Sequence, residues 1–251
     1  MTPLVRSAQR LDLQELERVM ALGVEAAEAC LALREAAWAP EGGEEVVSLQ
    51  VLHLLLQHGA AVDSKEGRRP GWTPLHHAAA VLKRRSMTLL LQEGAARDLQ
   101  DPEGFTPLHY VMWAQDTEEE RTLACVKLLL DAGAAVDTKD LSGYTALHWA
   151  LYQHKTRTSA LLVERGADTM ALSLTGWTPL TVCVYWSLLA SKDPGARMVA
   201  DSLRELASKI LSSPRFTPTN LDAVNDEGGT ALGYATTYGL SELVILIILF
   251  F

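Results

Sequence analysis

The sequence predicts an all-α fold, a solenoid in which short helix pairs stack side by side along the chain. A threonine-headed tetrapeptide recurs at residues 73, 106, 145 and 178, so its copies are spaced by 33, 39 and 33 residues. One glycine stands two residues before each threonine, and another follows each of four apolar runs: Gly71, Gly104, Gly143 and Gly176, then Gly59, Gly94, Gly133 and Gly166. A period in this range indicates an array of small units, each packed only on its neighbours.

Each tetrapeptide has the chemistry of a helix start. The copies are Thr-Pro-Leu-His at 73–76 and 106–109, Thr-Ala-Leu-His at 145–148 and Thr-Pro-Leu-Thr at 178–181, with a degenerate Thr-Ala-Leu-Gly at 230–233. A threonine oxygen can cap the free amides of a new helix, and proline suits the next position because its missing N–H costs nothing there. The upstream glycines fit a tight turn, and the downstream glycines fit the left-handed end of a helix. The combination resembles the ankyrin repeat, a β-turn followed by two helices.

The resemblance implies that residues 1–251 form a single ankyrin repeat domain, an α-solenoid of helix-turn-helix units joined by β-hairpin-like loops. It predicts about seven units: a cap at 2–23, a divergent unit at 24–63, four units at 64–98, 99–137, 138–168 and 169–222, and an incomplete unit at 223–251. The cap has a polar outward side, as an end repeat requires. The divergent unit lacks the threonine-headed start in its first helix, predicted at 26–38, and its second helix is predicted at 47–58.

Two units are longer than the period. The unit at 99–137 has an excess near residues 115–121, where several acidic side chains precede the next helix and suit its dipole. In the unit at 169–222, the extra residues are predicted to form loops at 191–196 and 212–220, the second of which contains Pro214 and Pro218. Loops on a rigid scaffold are common carriers of binding specificity.

The chain ends in an apolar tail, residues 243–251, which begins at Leu243 and finishes at Phe251. Its length is far below the ~20 residues that a membrane-spanning helix needs, so the sequence predicts no stable membrane span. Three explanations remain open for the tail. The chain is an incomplete version of a longer array, the tail contacts a partner or a second copy, or the tail enters a membrane surface.

The composition narrows the kind of partner. Of the 251 residues, 48% are hydrophobic, which is ample for burial, and the formal net charge is −9. The acidic balance disfavours nucleic acid and favours a basic or apolar protein partner. Three widely spaced cysteines indicate neither a disulfide framework nor a zinc site. Since no secretory signal is recognisable at the start, a cytoplasmic location is expected, with the nucleus as the alternative.

No residues are predicted to be catalytic, cofactor-binding or metal-binding. His76, His109 and His148 recur at one position of successive units, roughly 10 Å apart in a stack of helices, so they cannot share one zinc ion. In the ankyrin family this histidine ties its loop through hydrogen bonds. The sequence contains no phosphate loop and no nucleophile elbow. Each of the three cysteines, Cys30, Cys125 and Cys183, lies on an apolar helical stretch and is expected to be a buried hydrophobe.

Aromatic residues are the one set predicted to bind. An aromatic residue precedes four of the threonines, and the first helices of the units carry others: Trp72, Phe105, Tyr144 and Trp177, then Trp113, Tyr152, Tyr185 and Trp186. The resemblance places the first four on the hairpins and the others on the inward-facing side of the solenoid. Tyrosine and tryptophan offer large contact areas with few rotamers to freeze. For the hairpin residues, packing on the next hairpin is the alternative role.

By resemblance, the protein is a non-catalytic scaffold or adaptor that binds a partner protein through its concave groove and hairpin tips. The alternative is the regulatory or substrate-recruiting ankyrin region of a longer enzyme or adaptor that continues past residue 251.

Overall fold

The computed structural model describes residues 45–65, 71–114, 119–191, 197–211, 218, 220–237 and 239–249, and isolated positions before residue 45. Within these ranges it contains eleven helices and no strand, which confirms the predicted all-α class. The predicted cap at 2–23 and the helix at 26–38 lie outside the described residues, apart from those isolated positions. The chain divides into two compact units, Met1–Ala134 and Ala135–Phe251.

The first unit contains five helices: α1 (Glu45–Gln57), α2 (Pro74–Ala80), α3 (Arg84–Gln92), α4 (Pro107–Trp113) and α5 (Glu120–Asp131). The first helices of its repeats, α2 and α4, pack side by side in one layer. The second helices, α1, α3 and α5, form the other layer. Leucine and methionine side chains fill the space between the layers and are fully buried: Leu52, Leu55, Leu75, Met87, Leu90, Leu108, Met112 and Leu129.

The second unit repeats this arrangement. Its helices are α6 (Ala146–Tyr152), α7 (Thr156–Glu164), α8 (Pro179–Ser191), α9 (Arg197–Leu211), α10 (Ala231–Thr237) and α11 (Ser241–Ile248). Helix α8 packs between α6 and α10, and α9 packs between α7 and α11. We call the row formed by α6, α8 and α10 the first-helix layer of this unit.

In the described part of the chain, α8 is the longest first helix and α9 is the longest second helix. The first helices α2, α4 and α6 have 7 residues each, whereas α8 has 13. Helix α9 has 15 residues, whereas α3 and α7 have 9. Helix α8 extends to Ser191, the first residue of the predicted loop at 191–196, and α9 ends at Leu211, one residue before the predicted loop at 212–220. No proline or glycine interrupts residues 180–191 or 197–211, so both helices continue and pack against each other. Residues 192–196 and 212–217 lie outside the described part of the chain.

Two of the head histidines, His76 and His148, link their repeat head to the next hairpin. The Nδ1 atoms of His76 and His148 each accept the backbone N–H of the head threonine at 3.1 Å. The neutral ring therefore carries its proton on Nε2. In His76 this group donates to the carbonyl of Phe105 at 3.1 Å, and in His148 to that of Trp177 at 3.2 Å. The structural role that the resemblance implies for these two histidines is confirmed.

Tight hairpins precede the first helices. The N–H of Asp140 donates to the carbonyl of Tyr144 at 2.9 Å, and the same closure joins Ser173 to Trp177. The second unit also has hydrogen bonds between neighbouring hairpins, from the N–H of Leu174 to the carbonyl of Ser142 at 3.0 Å. The predicted β-hairpin-like loops are thus present, although they are too short to form strands.

Candidate binding surface

A continuous row of aromatic rings crosses three repeats of the second unit. Successive ring centroids lie 5.5, 5.9, 5.3, 5.8 and 5.1 Å apart from Tyr144 to Tyr234. The rings come from the first-helix layer and the hairpins that precede it. We call this set the aromatic ladder; it consists of Tyr144, Trp149, Tyr152, Trp186, Tyr185, Trp177 and Tyr234.

The rings of the ladder meet mainly edge to face. The interplanar angle is 75° between Trp149 and Tyr152 and 89° between Tyr152 and Trp186. This geometry brings the positive edge of one ring to the negative face of the next, which stabilises a pair by about 0.5–1.5 kcal/mol beyond its burial. The ladder is therefore a preorganised surface with few rotamers left to freeze.

A buried carboxylate anchors one end of the ladder. Oδ1 of Asp140 accepts the backbone N–H groups of Ser142 and Tyr144 at 2.8 and 2.9 Å, which shapes the hairpin. Its Oδ2 accepts the indole N–H of Trp149 at 2.8 Å. One side chain thus fixes both the turn and the first tryptophan of the ladder.

Two exposed carboxylates close the other end. The indole N–H of Trp177 donates to Asp226 at 2.7 Å. The hydroxyls of Tyr185 and Tyr234 donate to the two oxygens of Glu227, each at 3.3 Å. Partial burial raises the pKa of Tyr234, and the nearby Glu227 carboxylate acts in the same direction. This tyrosine is therefore a hydrogen-bond donor at neutral pH.

The accessible ring of the ladder is Tyr152. Its side chain is 51% exposed, although its edge and face contact two tryptophans. Trp177, in contrast, is 9% exposed. Tyr144, Tyr185 and Trp186 are half-buried. The ladder consequently combines buried rings that hold the geometry with partly open rings that can touch a ligand.

The first unit has a smaller aromatic cluster. Tyr110 lies between Trp72 and Phe105, with centroid distances of 4.1 and 5.6 Å, and Trp113 follows Phe105 at 6.2 Å. The Tyr110 hydroxyl donates to Asp101 at 2.5 Å. Burial, together with that carboxylate, raises the pKa of Tyr110 far above its ordinary value. Trp72 is buried, whereas Trp113 is 49% exposed.

The sequence profile of ankyrin repeats matches the chain in three copies, over residues 45–119 and 112–199. The chain belongs to the ankyrin repeat family. Ankyrin repeats generally mediate protein–protein interaction and are typically non-catalytic. A comparison with curated proteins found no match.

The structure brings five of the eight predicted binding residues of this ankyrin chain into the ladder: Tyr144, Tyr152, Trp177, Tyr185 and Trp186. The other three, Trp72, Phe105 and Trp113, lie in the cluster of the first unit. Packing accounts for Trp72 and Trp177, whose rings are buried against neighbouring aromatic residues. A role in binding stays a prediction for the whole set.

Three further rings, which the sequence patterns did not single out, stand four residues after a head threonine: Tyr110, Trp149 and Tyr234. Each is hydrogen-bonded to a hairpin residue nine positions earlier, which is Asp101, Asp140 or Asn225, respectively. An aspartate or asparagine paired with an aromatic residue at this spacing is a pattern visible in the sequence. The contact behind this pattern depends on a hairpin that turns the two residues toward each other.

The remaining predictions for this ankyrin chain concern its apolar tail, a membrane span and its cysteines. Along α11, Leu243 and Ile247 are buried, whereas Ile245 and Ile248 are more than half exposed. Contact of this tail with a partner stays a prediction.

The described helices include none that is long and apolar enough to cross a membrane. Cys125 and Cys183 are buried as predicted, and Cys30 lies outside the described residues.

Proposed function

We propose that this ankyrin chain is a scaffold or adaptor that binds another protein through its first helices and hairpin tips, with the aromatic ladder as the main contact surface. The observation that carries the proposal is the position of Tyr152. Its half-exposed ring is held between the rings of Trp149 and Trp186 at 5.9 and 5.3 Å. Binding hot spots favour tyrosine and tryptophan that are rigid before the partner arrives.

The hairpin tips add apolar contacts beside the ladder. Leu141 and Leu174 occupy equivalent positions in successive hairpins of the second unit and are 70% and 80% exposed. A hydrogen bond between the two hairpins fixes their spacing. A partner that lies along the ladder can therefore bury these two leucines as well, which would add hydrophobic stabilisation.

Affinity capture with the intact chain tests the proposal. Partners captured by the wild type should be lost with Tyr152→Ala, and more completely with Trp113→Ala and Tyr152→Ala together. Circular dichroism should show unchanged helicity, because both side chains are about half exposed. Glu164→Ala is the control, since it truncates an exposed side chain of α7, in the other helix layer. Capture that survives the double variant, or is lost equally with the control, would contradict the proposal.

A further inference from the structure

The carboxylate end of the ladder has a charge that is not neutralised within the described part of the chain. Asp226 and Glu227 are exposed on a hairpin tip. Their carboxylates accept hydrogen bonds from the indole N–H of Trp177 and from the hydroxyls of Tyr185 and Tyr234. The backbone N–H of Asp226 donates to a backbone carbonyl. Neither side chain pairs with a lysine or arginine among the described residues. Each carboxylate oxygen keeps a free acceptor position after receiving one hydrogen bond.

Like the carboxylates, the aromatic rings beside them favour a positively charged ligand. The faces of tyrosine and tryptophan attract cations, and arginine stacks on them readily. Tyr185 contacts both Trp177 and Tyr234 at 5.1 Å, so three rings meet next to the two carboxylates. An acidic ligand would place like charges together here, whereas a basic one would gain charge-assisted hydrogen bonds and ring contacts.

We propose that the partner segment recognised by the ladder carries arginine or lysine next to apolar residues. The cationic group binds at Asp226 and Glu227, and the apolar residues bind near Tyr152 and Trp186. This inference rests on the proposed function, because it specifies the chemistry of the segment that the ladder binds. The net charge of −9 also attracts a basic segment over longer distances.

A displayed random-peptide library, selected against the intact chain, tests the inference and needs no identified partner. Peptides that bind the wild type but not Tyr152→Ala are ladder-dependent, and we expect more arginine and lysine than aspartate and glutamate among them. Synthetic copies should bind Glu227→Gln about two- to fivefold more weakly, as for an exposed ion pair. At about 1 M salt, where the screening length falls to roughly 3 Å, this difference should disappear.

Glu164→Gln is the matched control, because it makes the same change on an exposed residue of α7, in the other helix layer. It should leave peptide affinity unchanged. Ladder-dependent peptides that are neutral or acidic, or that bind Glu227→Gln as well as the wild type, would overturn the inference and leave the proposed function intact. If no selected peptide depends on Tyr152, the proposed function fails and the inference fails with it.

Discussion

The Nε2 atom of His148 lies 3.2 Å from the carbonyl oxygen of Trp177, so the head of one ankyrin repeat is bonded to the hairpin of the next. The histidine is buried, and its other ring nitrogen accepts the N–H of Thr145. The next head has Thr181 in place of histidine, and the hydroxyl of Thr181 bonds to Thr178 in its own head, at 2.9 Å. Among the described residues, this shorter side chain makes no hydrogen bond to the following hairpin that would match the link through His148.

Replacing His148 with alanine should destabilise the second unit. The change removes the hydrogen bonds of the ring and leaves the buried N–H of Thr145 without its partner, which costs roughly 1–3 kcal/mol. The carbonyl of Trp177 keeps the hydrogen bond from the N–H of Ser173. Urea unfolding, followed by circular dichroism, measures the change in the free energy of unfolding. His53→Ala is the control, because His53 is exposed and should change stability little. Equal effects of the two variants would contradict the proposed role of the link.

Stability should fall as the pH drops below neutrality. Burial lowers the pKa of His76 from 6.5 to about 4. Between these two pH values, the side chain is therefore protonated in the unfolded chain and neutral in the folded chain. The contribution of His76 is complete above pH 6.5 and is lost as the pH falls toward 4. Linkage gives a loss of roughly 2 kcal/mol between pH 7 and pH 5.

The measurement is a series of urea midpoints at pH 7, 6 and 5 (chosen because carboxylates of ordinary pKa stay mostly ionised there). His76→Gln should reduce the pH dependence by about the predicted amount, since glutamine does not titrate. A variant that keeps the full pH dependence would show that other groups cause it.

Gly176→Ala should disrupt the contact between two hairpins. This glycine has a φ of +78°, and an added Cβ would lie 2.3 Å from the carbonyl oxygen of Val224. The backbone would have to shift, and the hydrogen bond from Asp226 to Thr175 would be strained. Gly228 is the matched control, because it has the same φ and turn position with no neighbour within 4 Å.

In the control, Gly228→Ala, the free energy of unfolding should fall only by the cost of placing alanine in the left-handed region, about 1–2 kcal/mol. In Gly176→Ala, thermal or urea unfolding should show a clearly larger fall in the free energy of unfolding. Hydrogen exchange at Asp226 should also become faster in Gly176→Ala alone. Similar losses in both variants would mean that the hairpin contact contributes little.

The two described cysteines should resist thiol reagents in the folded protein. Burial raises the pKa of Cys183 to about 12, and its thiol donates to the carbonyl of Leu203 at 3.0 Å. Cys125 is also buried. Because the thiolate is the reactive form, alkylation with iodoacetamide in a Cys30→Ser background should be slow until urea unfolds the chain. Rapid modification at neutral pH without denaturant would contradict this prediction.

The sequence by itself determined the repeated unit. Local chemistry at Thr145, His148 and Gly143 sets a capped helix, a buried link and a tight turn, and these features recur with the period. Because such features depend on neighbours close in the chain, the ankyrin fold and the helix starts can be predicted from spacing alone. The eight aromatic candidates could be found in the same way.

Only the tertiary structure decided which rings meet and which are open. Tyr152 and Trp186 are 34 positions apart in sequence, and their contact depends on how α6 packs beside α8. The exposed carboxylate of Glu227 becomes part of the candidate binding surface because the hydroxyls of Tyr185 and Tyr234 donate to it from two different helices. Sequence spacing does not contain these relationships, because they arise from side chains that converge across repeats.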